Sequence, residues 1–166
     1  MITNDDLYYY LENGKISAES VANDKYYVKP EIAKKLISLV DKERFEHIIE
    51  PSAGNGSFSL QLDCEAYDIK PEHPSIIEAN FFDLSFDYNR GKTLIIGGPP
   101  YGIKGSNAIN FFNHSKKFAD TIAFILPKNL EFPGFICTLE VPLNNAFTID
   151  GYEFHYPSVF QIWKRI

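Results

Sequence analysis

The sequence predicts an α/β protein, with a mostly parallel central sheet, helices on both faces and antiparallel strands at the C-terminal end. Three features predict it. As far as Pro127, short β-branched apolar runs alternate with helical patterns across loops rich in glycine and proline. After Pro127 the short strand-like runs follow one another with no helical pattern between them. Among those later runs, Asp150-Gly151 is a strong hairpin signal.

The elements follow in order. Met1 to Lys25 is polar and reads as an N-terminal helical extension, with Asn4-Asp5-Asp6 positioned to cap a short helix carrying Tyr8-Tyr9-Tyr10. The main domain is expected over 26–166. Tyr26 to Lys29 reads as a loop at the mouth of a helix from Pro30 to Asp41. In that helix Ile32, Ala33, Leu36, Ile37 and Val40 recur at steps of three and four. Pro30 suits the first helical position, and Glu31 favours the positive end of the helix dipole.

His47 to Glu50 is the first core strand, broken by Pro51 to Gly56, and Ser57 to Leu62 resumes a helical pattern. Ala66 to Ile69 is a second strand ending in an acid. Asn80 to Leu84 reads as a third, with Asp83 at its end. Thr93 to Ile96 is the fourth and Thr121 to Leu126 the fifth, separated by a helix over Ser106 to Lys117. Cys137–Val141, Phe147–Ile149, Tyr152–His155 and Val159–Trp163 complete the strands.

With 166 residues, the chain is long enough for one domain with a sizeable core. A net charge of −6 argues against a large basic surface for long nucleic acids, which bind chiefly through phosphate contacts. It leaves room for a single nucleotide or for a local strip formed by Lys104, Lys116, Lys117 and Lys128. Cys64 and Cys137 stand far apart without zinc-ligand companions, which fits a reduced cytoplasmic setting. No leader and no membrane-length apolar run is evident.

Chemistry is concentrated in two loops. In Gly97-Gly98-Pro99-Pro100-Tyr101-Gly102, after the run Leu94-Ile95-Ile96, the prolines stiffen the turn and leave carbonyls free to accept. Tyr101 offers a face for a planar group, so the loop can grip a flat base and hold its amino group. In Glu50-Pro51-Ser52-Ala53-Gly54-Asn55-Gly56, small residues between strand and helix allow close backbone approach to a ligand. The third glycine of a dinucleotide fingerprint is missing, as are the lysine and hydroxyl of a P-loop, so a phosphate cradle is not expected. Glu50 would repel phosphate and can pair with an ammonium. Asp68 stands where an acid accepts ribose hydroxyls, and Asp83 where one accepts from an adenine amine. This ordered set suits a ligand with an amino acid end, a ribose and an adenine, as in S-adenosylmethionine.

These residues resemble the class I S-adenosylmethionine-dependent amino-methyltransferases that methylate adenine N6 in DNA or RNA. Tyr27-Val28-Lys29-Pro30-Glu31-Ile32-Ala33 resembles the family's N-terminal cofactor segment, and Glu50 to Gly56 its glycine-rich loop. Gly98-Pro99-Pro100-Tyr101 matches three of the four residues of its catalytic Asn/Asp-Pro-Pro-Tyr/Phe loop. Ile122 to Pro127 and Val159 to Trp163 resemble later family blocks. The resemblance implies a Rossmann-like fold, S-adenosylmethionine as cofactor and nucleic acid as substrate; with no separate target-recognition domain evident, a small target site or a protein partner is expected to supply recognition. It implies cofactor contacts from Tyr27, Glu50 to Gly56, Phe58, Asp68, Ile69, Asn80, Phe81 and Asp83, and catalytic roles for Gly98, Pro99, Pro100 and Tyr101.

Two positions depart from the family pattern. Val28 replaces a threonine near the cofactor carboxylate, and Gly98 replaces the catalytic Asn/Asp. In the family, that side chain and the next proline carbonyl accept the two N–H bonds of the target amine. Losing one such bond costs about 1–3 kcal/mol, or roughly 10- to 100-fold in rate. Asn107 and Asn129 are candidates to replace it. The alternatives are a binding subunit with little turnover and a methyltransferase acting on a protein glutamine.

Overall fold

A computed structural model of the chain describes residues 9–22 and 25–166. The expected cap at Asn4-Asp5-Asp6, and Tyr8, lie outside the described residues. Residues 9–12 are helical, and a five-residue helix, α1 (Ala18–Ala22), follows.

Seven strands form the main sheet: β2 (His47–Glu50), β3 (Glu65–Asp68), β4 (Ile77–Glu78), β5 (Thr93–Gly97), β6 (Thr121–Leu126), β7 (Phe135–Leu143) and β10 (Ser158–Arg165). Their order is β4-β3-β2-β5-β6-β10-β7. The first five run parallel, and β10 pairs antiparallel with both β6 and β7. All residues of β5 are buried, as a parallel strand covered on both faces must be.

Among the described residues, one long helix packs on each face. Ala33, Leu36 and Ile37 of α2 (Pro30–Ser38) share a core with Leu94, Ile96, Ala123, Ile125 and Phe160. Ala108 and Phe112 of α3 (Ser106–Ser115) share another with Ile49, Ile95, Ile122, Phe124 and Trp163. The alternation Leu94/Ile95/Ile96 thus sends successive side chains to opposite cores.

Several local expectations are corrected. Ser57 to Leu62 gives only a 3-10 turn at Ser59–Gln61. The third strand is Ile77–Glu78, not Asn80 to Leu84. Asn80 Oδ1 accepts from the Phe82 N–H at 3.1 Å, and this cap turns Phe81–Asp83 into a 3-10 turn.

Tyr26 to Lys29 is not all loop, because Tyr27–Val28 forms strand β1. It pairs with β8 (Phe147–Ile149), which pairs with β9 (Tyr152–Phe154). These three make a separate sheet, so only two of the four C-terminal strands extend the main one. The β8–β9 turn has φ of 48° at Asp150 and 83° at Gly151, both left-handed, as a tight twisted hairpin requires. The Asp150 carboxylate also accepts from Ser17 N–H at 2.8 Å and Ser20 Oγ at 2.7 Å, which fastens α1 to this sheet.

Candidate active site

Because β2 lies between β3 and β5, the loops leaving β2 and β5 are neighbours at the carboxyl edge of the sheet. Ser52 Oγ donates to the Gly98 carbonyl at 3.3 Å and joins them. Two adjoining cavities open here, with Tyr26, Tyr27, Ser52, Gly98 and Pro100 lining both. The outer one measures about 400 Å³, within the size range of small-molecule sites. The inner one is much tighter, about 60 Å³.

Two glycines are fixed by close approach. Gly54 has φ +56°, and a Cβ there would lie 2.6 Å from Tyr27 Cε1. The Tyr27 ring therefore rests directly on the loop backbone. Gly97 has φ +147°, and a Cβ would lie 3.0 Å from Glu50 Cγ. Gly98 has no such restriction, since its Cβ would meet only Ile125, at 3.9 Å.

Glu50, at the end of β2, is 2% exposed and lines the inner cavity, and its Oε2 has no hydrogen-bond partner. Burial raises its pKa to about 8, and the Asp68 charge pushes the same way. The Ser59 backbone N–H pulls it back only in part. Asp68, at the end of β3, accepts from Gly54 N–H and Lys70 N–H, each at 2.8 Å. It braces the glycine loop while facing the outer cavity. Burial and the neighbouring Glu72 raise the Tyr27 pKa.

Of the residues expected at the site, Glu50, Ala53, Asn55, Phe58, Pro99 and Tyr101 line the inner cavity, and Pro51, Gly54, Asp68, Ile69, Asn80 and Phe81 the outer. Gly56 lines neither; with φ +90° it shapes the turn onto Leu60. Asp83 is exposed in its 3-10 turn and also lines neither, because the Asn80 cap ends the extended chain earlier. Asn80 lines the outer cavity. Tyr101 does not present an open face. Its hydroxyl donates to Ser158 Oγ at 2.8 Å and its ring meets Tyr156 edge-on, 5.0 Å between centroids. Burial raises its pKa.

Of the two candidate acceptors, Asn107 lines the outer cavity with Gly98 and Pro100. Asn129, at φ +66°, lines neither. Sequence reading missed Tyr26, Ile125, Phe147 and Tyr156 on the inner wall and Phe111 on the outer. The frequent tyrosines and phenylalanines were a signal, but only pairing of β1 with β8 brings Tyr26 and Phe147 to one wall. Among the described residues no group of three His, Cys, Asp or Glu is placed to hold a metal, and no helix is long and apolar enough to cross a membrane.

No family model and no curated protein sequence matches the chain. Solved structures do. A candidate RNA methyltransferase, PH1948, from Pyrococcus horikoshii matches with TM-score 0.57 at 13% identity, over 82% of this chain and 85% of that one. Magnesium protoporphyrin IX methyltransferase (ChlM) from Synechocystis PCC 6803, solved with bound S-adenosylmethionine, matches with TM-score 0.54 at 13% identity, over 82% and 77%. The chain has the Rossmann-like fold of S-adenosylmethionine-dependent methyltransferases.

Proposed function

We propose that this chain is an S-adenosylmethionine-dependent methyltransferase acting on an exocyclic amine, with adenine N6 in DNA or RNA as the target. One observation carries the reading: a buried carboxyl, Glu50, whose Oε2 has no partner, stands between a glycine loop and a proline loop that share one cleft.

The residues present fit the cofactor. Glu50 and the backbone of Ser52 to Asn55 would hold its amino acid end, Asp68 the ribose, and Ile69, Asn80 and Phe81 the adenine. Asn80 takes the adenine contact first expected of Asp83. Bound there, the cofactor supplies an electrophilic methyl group. The Pro99 carbonyl accepts one N–H of the target amine and orients its lone pair; such positioning lowers a barrier without a strong base. Gly98 offers no side-chain acceptor, and its carbonyl already accepts from Ser52. Turnover by the chain alone is therefore slow. A second reading, a binding subunit that assists an active partner, is favoured by that absence and by the cover of Tyr156 over Tyr101.

The test is calorimetric titration with S-adenosylmethionine, followed by labelled methyl transfer to DNA, RNA, nucleotide and peptide panels. Binding that is lost in Asp68→Ala, with transfer to adenine-containing nucleic acid, is expected. Binding without transfer to any panel favours the second reading, and no binding overturns both.

A further inference from the structure

The 3-10 turn Ile103–Gly105, just past the proline loop, carries an apolar side chain that the fold does not use. Ile103 is 83% exposed, second only to Ile166 among the large apolar residues described. The turn is pinned on both sides. Gly102, Lys104 and Gly105 all have left-handed φ, at 66°, 52° and 76°. A Cβ on Gly102 would lie 2.9 Å from Asn107 Cγ, and one on Gly105 3.4 Å from Pro127 Cγ. The Asn107 N–H donates to the Tyr101 carbonyl at 2.9 Å and ties the start of α3 to the proline loop. Ile103 and Lys104 are thus held outward as a stiff tip just beyond Tyr101.

The charge around this tip is one-sided, although the chain is acidic overall. Between Asp87 and Glu131 there is one acid, Asp120, which precedes β6 at the opposite edge of the sheet and pairs with Arg90 and Arg165. Lys104 is exposed, and so is Lys128, on the loop after β6 that packs against Gly105. Among the described residues neither lysine makes an ion pair. Lys116 and Lys117, at the far end of α3, stand apart from this strip.

We propose that Ile103 is a wedge for base-paired nucleic acid: it enters the stack where the target base has swung out, while Lys104 and Lys128 hold the flanking phosphates. The inference rests on the methyltransferase reading and names the form of its substrate. A base paired in a duplex cannot reach Pro99 and Tyr101 without leaving the stack. The gap it leaves is walled by apolar base faces, and an aliphatic side chain fills it as water cannot. Two unpaired lysines beside that side chain match the phosphates on either side of the gap. A single aliphatic tip buries too little area to hold a membrane surface, whereas one base step is the size it fills.

The test is fluorescence anisotropy of the whole chain, saturated with S-adenosylhomocysteine, on mixed-sequence DNA and RNA, each as duplex and as single strand. A second set of duplexes carries 2-aminopurine at adenine positions, which brightens on leaving the stack. Ile103→Ala should weaken duplex binding about tenfold and abolish the 2-aminopurine signal, with single-strand and S-adenosylhomocysteine affinity unchanged. Ile103→Leu should restore both losses. Lys104→Gln and Lys128→Gln should each weaken all duplexes alike and lower the slope of log K against log salt by about one. Whichever duplex binds more tightly identifies the nucleic acid. No binding to either duplex, an unchanged 2-aminopurine signal in Ile103→Ala, or an equal loss on single strands overturns the inference. The methyltransferase reading then stands as long as S-adenosylhomocysteine binds. If S-adenosylhomocysteine does not bind, that reading fails, and this inference with it.

Discussion

At the scale of single residues, Gly98 and Glu50 set the two most informative experiments. A side chain at Gly98 would meet Ile125 at ordinary contact distance, and no left-handed φ stands in its way. Gly98→Asn should therefore fold normally and restore a second acceptor for the target amine. We expect at least about tenfold faster methyl transfer with unchanged cofactor affinity, since one hydrogen bond to the reacting group is worth roughly that. An unchanged single-turnover rate would count against the amine geometry proposed here. Glu50 links stability to pH. Its pKa is 4.5 in an open chain and about 8 when folded, so between those values the folded state holds the extra proton. Stability then falls as pH rises through this window, and is free of the penalty below it. Thermal melts at pH 5 and pH 8 should show a drop for the ligand-free protein that is smaller in Glu50→Gln. Gly54 contrasts with Gly98: Gly54→Ala places a methyl 2.6 Å from the Tyr27 ring at φ +56°. It should cost about 1–3 kcal/mol in denaturant unfolding and weaken ligand binding.

Among elements, α3 shows how packing fixes the site's floor. Phe112 is fully buried, stacks on Phe132 at 3.6 Å and meets Phe135 and Trp163 edge-on. Phe112→Ala should cost about 3–5 kcal/mol, read from the shift of the urea midpoint. Elements of this kind were legible in the sequence, because α2 and α3 carry apolar residues at helical steps and β5 and β6 are continuous apolar runs. What was not legible depended on partners distant in the chain. Tyr27–Val28 has no strand pattern of its own and becomes β1 only because Phe147 and Thr148 pair with it. At Asn80 the apolar Phe81-Phe82 suggested a strand, while the side-chain cap chose a 3-10 turn. The same pattern explains the site: Glu50, Asp68 and the two loops follow from strand ends, whereas Tyr26, Phe147 and Tyr156 enter through a sheet that sequence reading had merged with the main one.

Across the whole molecule, the cleft is built from two unequal parts. The floor belongs to the seven-stranded sheet, whose β5 is wholly buried. The wall belongs to β1, β8 and β9: Val28, Phe147, Ile149 and Phe154 enter the core that α2 shares with the main sheet, while Tyr152 and Glu153 are exposed and the polar fastenings are hydrogen bonds of Asp150 and a 2.6 Å ion pair between Lys29 and Glu153. Exposed ion pairs hold little free energy, and strands of two or three residues carry few ladder hydrogen bonds, so the small sheet should open locally before the main sheet unfolds, even though it shares the core. A ligand touching both Tyr27 and Glu50 would bridge these parts and shift that local equilibrium by mass action. Amide hydrogen exchange can read this directly. Without ligand, amides of β8 and β9 should exchange much faster than those of β5 and β6. Saturating S-adenosylhomocysteine should slow β1 and β8 strongly while β6, already protected by the core, changes little. Equal slowing across both sheets would mean that the wall and floor open as one unit. Slowing confined to the glycine loop would place the ligand away from the aromatic wall.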